Sequence, residues 1–217
     1  MAGWFEQVDS DIFDAILSQQ HGDVLEIGAY VGDSAIPIGR HVRPDESLVV
    51  CDLWEGVFSS PDIDPKDHMH YSGLTLDRFL QNWDAVYDWR PELVQGDSLT
   101  LDLTGREFRF AHIDGCHMYE YVSHDIRNVA GHVHPDGVIV LDDYRREHVP
   151  GVAAATWEAV SAGIIFPFLT STNKLYATAN PAAAGRWLSA MSRRVDDLGW
   201  NADTYSFPTY EVLMVRA

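Results

Sequence analysis

Asp114, His117, Asp142 and Asp143 are the residues of this 217-residue chain whose types and spacing invite chemistry. The apolar segment FRFAHI runs into Asp114, with His117 three residues on, and the segment VIVL runs into the pair Asp142-Asp143. Carboxylates are hard oxygen ligands, and three of them without clustered cysteines or paired histidines suit Mg2+ better than zinc. An ion held there can orient vicinal oxygens and lower the pKa of a bound hydroxyl. A histidine, with an unperturbed pKa of about 6.5, can take the proton that leaves. The plainer alternative is that these acids solvate loops, or that Asp143 caps the next helix. Consecutive Asp142 and Asp143 leave a strand on opposite faces, so the metal reading requires the chain to turn at LDDYRRE.

Other acids also close apolar runs. LEIGAYVGDS places Glu26, Gly28 and Gly32 around the end of the first run. Glycines there let backbone approach a ligand and let a helix begin tightly. A dinucleotide fingerprint needs G-x-G-x-x-G, whereas this chain reads Gly28-Ala29-Tyr30 and gives E-x-G-x-x-x-G instead. Asp52 closes the second run 24 residues after Gly28, where a carboxylate can accept from both vicinal hydroxyls of a ribose. QGDS closes the third in Asp97-Ser98. An adenine amino group can donate to a carboxylate there, and a helix cap is equally possible.

The elements that must position these residues alternate between strand and helix patterns. Helical spacing covers DSDIFDAILSQQ, GLTLDRFLQNWDAVY (with Leu76, Phe79, Leu80 and Trp83 on one face), YEYVSHDIRNVAGHV, VPGVAAATWEAVSA and PAAAGRWLSAMSRRV. A helix opening at GDSAIPIGRHV is limited by Pro37. Strands are predicted at Val24–Ile27, ESLVVCD, PELVQ, FRFAHI and PDGVIVL, with two more around the turn TSTNK; YEVLMV is an apolar run of undecided type. The pattern predicts an α/β fold: a Rossmann-like, doubly wound, mostly parallel seven-stranded sheet with a C-terminal antiparallel hairpin, one domain over residues 1–217. In such sheets ligands lie outside the carboxyl ends of the strands, and that is the edge where the acids collect. Residues 55–72, rich in Pro, Asp and His without period, are expected to form a lid.

Hydrophobic residues make up 46% of the chain, enough for a sizeable core. The net charge of -18 disfavours nucleic acid and anionic membranes as partners and suits a weakly charged or cationic small molecule or a divalent metal. Cys51 and Cys116 are too few and too scattered for a disulfide framework or a zinc site. No basic stretch precedes an apolar run at the start, and no run approaches the roughly 20 residues that span a bilayer. A cytoplasmic, reducing setting is expected.

Taken together, LEIGAYVG, VVCD, QGDS and PDGVIVLDD resemble the class I S-adenosylmethionine-dependent methyltransferases over roughly residues 22–160. HIDGCHMYEYVSHDI is similar to the metal-dependent subfamily that methylates sugar hydroxyls of macrolides and aminocoumarins. The resemblance implies that the Glu26, Gly28 and Gly32 turn binds the methionine part of the cofactor. Asp52 would then hold the ribose, and Asp97 with Ser98 would border the adenine. It further implies a divalent ion, Mg2+, on Asp114, Asp142 and Asp143, with His117 as general base. Several members of the subfamily carry an acid where this chain has Cys116, which leaves the base role to His117 or to a residue elsewhere. The implied acceptor is a small saccharide or glycosylated natural product, such as an actinobacterial methylmannose polysaccharide, and a homo-oligomer is plausible. Tyr119 and Tyr144 can stack on a substrate ring or pack in the core. His68 and His70 can meet the sugar or lie in a solvated loop. Competing readings are a metal-free O-methyltransferase with His117 alone, a nicotinamide-dependent oxidoreductase, and a non-catalytic nucleoside-binding protein. The missing middle glycine counts against the oxidoreductase.

Overall fold

The computed structural model describes residues 6–55 and 75–216. The lid expected at 55–72 falls outside these residues apart from Glu55, as do His68 and His70. Helix α1 (Gln7–Leu17) leads into β1 (Asp23–Ile27), α2 (Ala35–Gly39), β2 (Leu48–Asp52), α3 (Leu76–Asp84), β3 (Glu92–Gln95) and a 3-10 turn (Ser98–Thr100). Then come β4 (Phe108–Ile113), α4 (Tyr119–Ala130), β5 (Val133–Leu141), α5 (Pro150–Ser161), β6 (Phe166–Thr170) and β7 (Leu175–Thr178). Helices α6 (Pro181–Ser192) and α7 (Val195–Leu198) and strands β8 (Asn201–Ser206) and β9 (Glu211–Arg216) complete the chain.

The strands form one sheet in the order β3-β2-β1-β4-β5-β7-β6-β9-β8. Strands β1 to β5 pair in parallel, β7 runs antiparallel to both β5 and β6, and β8 and β9 close the far edge as an antiparallel hairpin. The sheet therefore has nine strands, not the seven expected. YEVLMV is β9, and its partner β8 is the polar segment NADTYS, whose side chains are mostly exposed at the sheet edge. A strand without a buried face leaves no period-two signal in the sequence.

Both faces are covered, as a doubly wound sheet requires. Phe13 and Ile16 of α1, Phe79 and Trp83 of α3, and Trp187 and Met191 of α6 bury against Val24, Val50, Phe110 and Val140. Ile126 and Val129 of α4 with Val152 and Ala155 of α5 bury against Leu25, Val49, Ala111 and Ile139 on the other face. Each large apolar side chain removed from water in this way stabilises by roughly 1.5–3 kcal/mol. Thr75 starts α3 by accepting from the Arg78 N–H at 3.2 Å.

Register puts the site residues in one row. Ile27 pairs with Cys51 and Ile113, Ile113 with Leu141, and Leu141 with Leu175. One residue beyond that row stand Asp52, Gly28, Asp114 and Asp142, with Lys174 across from Asp142. The ladder continues into the row, with Asp114 N–H donating to Ile27 O at 2.7 Å and Asp142 N–H to Ile113 O at 3.0 Å.

Candidate active site

A cavity of about 830 Å3 opens over this row, lined by the loops after β1, β2, β3, β4 and β5. Among the described residues, three non-glycine residues have positive φ: Tyr30 (52°), Trp54 (41°) and Asp143 (56°). All three line the cavity, one in each of the loops after β1, β2 and β5. Left-handed backbone in bulky residues costs free energy that the surrounding fold must offset, and such strain concentrates at functional sites.

Gly28, at φ 84°, cannot be anything larger: a Cβ there would lie 2.0 Å from the Asp114 carbonyl oxygen. The glycine thus lets the ends of β1 and β4 close up. Asp52 organises the turn that follows. Its Oδ2 accepts from Ala29 N–H at 2.6 Å and Tyr30 N–H at 2.8 Å, and its Oδ1 accepts from Trp54 N–H at 3.0 Å. One carboxylate therefore pins two of the three strained residues and keeps acceptor capacity on Oδ1. Asp97 caps the 3-10 turn through Leu99 N–H at 2.9 Å and accepts from the Tyr121 hydroxyl at 2.9 Å. Ser98 donates to the buried Asp125 at 3.1 Å. Asp52, Asp97 and Ser98 all line the cavity, whereas Glu26 and Gly32 are not among its lining residues. Glu26 is fully buried; its Oε1 meets the Ser34 hydroxyl and His112, and its Oε2 has no hydrogen-bond partner among the described residues.

The three aspartates do not form a single cluster. Asp114 is shared between two groups whose potential ligand atoms lie within 4.8 Å of one another: His112, Asp114 and Asp142 on the inner side, and Asp114, His117 and Asp143 on the outer side. The left-handed turn at Asp143 supplies the change of direction that the sequence required. It brings Asp143 toward His117 instead of into a helix cap, and α5 begins only at Pro150. Asp143 Oδ1 also accepts from Arg146 Nε at 3.0 Å. His117 Nε2 is buried and lies 3.6 Å from both Asp114 Oδ1 and Asp143 Oδ2, just beyond hydrogen-bond reach of either. Its loop is held from above by Gly151 of α5, where a Cβ would come within 2.8 Å of the His117 carbonyl oxygen.

Burial and the Asp142 charge raise the Asp114 pKa to about 6. Burial alone would lower that of His117, but the Asp114 carboxylate beside it, then Asp143 and Asp142, outweigh burial and raise it. Asp142 shows the opposite balance. Burial would raise it, but Lys174 and then His112 hold it below the usual carboxylate range. Cys116 lies in the cavity wall, and Cys51 is buried with its thiol pushed up to about 12 by burial, so it is no nucleophile.

Tyr119 and Tyr144, the candidate stacking residues, line no part of this cavity. Tyr119 donates to Glu158 on α5, and Tyr144 is buried with its ring 6.2 Å from that of Trp157. Sequence reasoning missed His112, Tyr121, Arg146 and Lys174. The register across β5 and β7 places Lys174 beside Asp142, but burial of a lysine leaves no mark in the sequence.

Five parallel strands extended by an antiparallel β7, with a glycine turn after β1 and acids along one edge, make this the Rossmann-like fold of methyltransferases. A family model described as a methyltransferase domain matches residues 25–144, and the chain belongs to that family. Among solved structures it is similar to the O-methyltransferase NovP, with 21% identity over 78% of each chain and a TM-score of 0.63. It also resembles CalS11, a TDP-rhamnose 3'-O-methyltransferase of calicheamicin biosynthesis, at 13% identity over 80% of this chain and 81% of that one, with a TM-score of 0.54. MycE, a mycinamycin-pathway methyltransferase solved with Mg, SAH and mycinamycin VI, matches at 18% identity over 82% of this chain and 50% of its own, with a TM-score of 0.52. No curated protein sequence matches significantly. No helix among the described residues is long and apolar enough to cross a membrane.

Proposed function

We propose that this methyltransferase moves a methyl group from S-adenosylmethionine to a sugar hydroxyl of a saccharide or glycosylated natural product, with a hard divalent cation, Mg2+, at the acids. The observation that carries the reading is the outer group: Asp114, His117 and Asp143 face the same cavity as Asp52 and Asp97. The donor set fits a hard ion, because carboxylates from two adjacent strand ends converge beside a buried imidazole nitrogen that has no hydrogen-bond partner among the described residues. The sugar acceptor is supported by CalS11, described as acting on TDP-rhamnose, and the ion by the Mg held in MycE.

In this reading Asp114 and Asp143, with Asp142 behind them, would hold the ion, and the Gly28 turn, Asp52, Asp97 and Ser98 would seat the cofactor. The bound ion supplies orientation of vicinal sugar oxygens and a lowered pKa for the acceptor hydroxyl. His117 removes the hydroxyl proton. Without an ion, the carboxylates beside it raise the His117 pKa and favour the protonated ring; a cation on those carboxylates would offset that shift.

A second reading, proton removal by His117 with no ion, is favoured by one observation: the Lys174 ammonium already balances Asp142. Labelled S-adenosylmethionine with an oligosaccharide panel and Mg2+ separates the two. Transfer abolished by EDTA and restored by Mg2+ supports the first, and full transfer in EDTA supports the second. His117→Ala is expected to lower kcat by about 10²–10⁴-fold while leaving S-adenosylhomocysteine affinity nearly unchanged by calorimetry. Binding of NAD in place of S-adenosylhomocysteine would sink both readings.

A further inference from the structure

Lys174 opens the way into β7 directly across from Asp142, and it is 2% exposed. Its ammonium donates to Asp142 Oδ2 and lies 3.2 Å from His112 Nε2. His112 in turn meets Glu26 Oε1 through Nδ1 at 3.1 Å; burial would lower its pKa, but the Glu26 carboxylate outweighs burial and raises it. Asp114 and the buried Asp9 of α1 also face Lys174, and Asp9 accepts from the Tyr176 hydroxyl at 2.7 Å. The ammonium has two consequences. It neutralises Asp142, whose Oδ1 also accepts from the Asp143 N–H at 2.7 Å. It also fixes a positive charge on the inner side of Asp114, the residue common to both groups. A divalent ion entering beside Asp114 and Asp143 is repelled by that buried charge, which acts on the same Asp114.

Resting on the metal-dependent reading, we propose that Lys174 is an internal counter-ion and positioning residue. It holds Asp142 inward, balances the acids when no metal is bound, and keeps divalent-ion affinity low. The acids then stay ordered without an ion, and the ion can exchange.

Direct Mn2+ binding to the metal-free full chain, read by calorimetry or by loss of the free-ion electron paramagnetic resonance signal, tests this. Lys174→Gln keeps a hydrogen-bond donor for Asp142 but removes the charge, and it is expected to bind Mn2+ at least ~10-fold tighter than the wild type. Lys174→Arg keeps the charge and is expected to stay within about threefold. A lysine that merely props up the fold predicts the reverse, weaker binding in Lys174→Gln as Asp142 loses its anchor. Because that variant leaves Asp9 buried without its cation, the pair Asp9→Asn/Lys174→Gln restores the charge balance and is expected to show the same tightening. Equal or weaker Mn2+ binding in both neutral variants, with the wild type binding normally, overturns the proposal and leaves the metal reading standing. Absence of Mn2+ binding in every variant and in the wild type overturns both.

Discussion

Positive φ at Tyr30, Trp54 and Asp143 is the residue-scale mark of the site, and each of the three is held by a named contact. Asp52 fixes the first two, and the Asp142 carboxylate accepts from the Asp143 N–H. Titration behaves accordingly. In the folded protein Asp114 titrates at about 6 against 3.8 when free, so the folded state keeps a proton that the unfolded chain has lost between those values. Stability therefore falls as pH rises from about 4 through about 6. His117 is raised above its unfolded value of 6.5, so its contribution is complete below that pH and is lost as pH climbs through the folded value. Both groups act in the same direction. Thermal melts in EDTA are expected to show Tm declining from about pH 5 to about pH 8, and Mg2+ is expected to raise Tm more at the upper end, because it binds deprotonated ligands. A Tm that rises over this range, or an Mg2+ effect independent of pH, would contradict this assignment of charges.

Among the elements, the junction of β1 and β4 is the tightest. A Cβ at position 28 would lie 2.4 Å from the Asp114 carbonyl carbon and 2.6 Å from the Gly115 nitrogen, all of it backbone that cannot swing aside. Gly28→Ala is expected to destabilise by at least about 3 kcal/mol and to abolish S-adenosylhomocysteine binding; urea melts and calorimetry check the two halves. The strand ends that create this junction were legible in the sequence, because each is an apolar run that stops at an acid or a glycine. The parallel core of five strands followed from that alternation. Strand β8 did not, since NADTYS exposes nearly every side chain and has no periodicity to read. The inner group of the site was hidden for a different reason. His112 lies inside an apolar run and Lys174 inside a turn, and only the register of β4, β5 and β7 shows that both are buried beside Asp142. Asp142 and Asp143 looked equivalent as neighbours in sequence, and one backbone torsion sends them to different partners.

Across the whole molecule, the sheet separates chemistry from anchorage. Its carboxyl edge holds the acids of the site, while its opposite edge is tied by one arginine. Arg109, near the start of β4, is 1% exposed and donates to the carbonyls of Leu17 at 2.8 Å, Gly22 at 2.7 Å and His41 at 2.8 Å, and to Glu46 at 2.8 Å. It thus joins the end of α1, the entry to β1 and the turn before β2 to a central strand. Burial lowers the arginine pKa, and Glu46 works against that. Glu46, accepting from the Arg43 and Gly22 N–H groups and flanked by Arg43 and Arg109, overcomes its own burial and is held below the usual carboxylate range. Arg109→Met would take the Arg109 donors from three carbonyls and one of two flanking cations from Glu46, which costs about 3–5 kcal/mol. Arg109 precedes Asp114 by five residues, roughly 16 Å along an extended strand, and its partners Leu17, Gly22, His41 and Glu46 do not line the cavity. The expected outcome is a large loss in urea midpoint with Mn2+ and S-adenosylhomocysteine affinities unchanged at temperatures where the variant is folded. If both affinities fall with stability, the two edges are coupled through β4 and the separation of anchorage from chemistry does not hold.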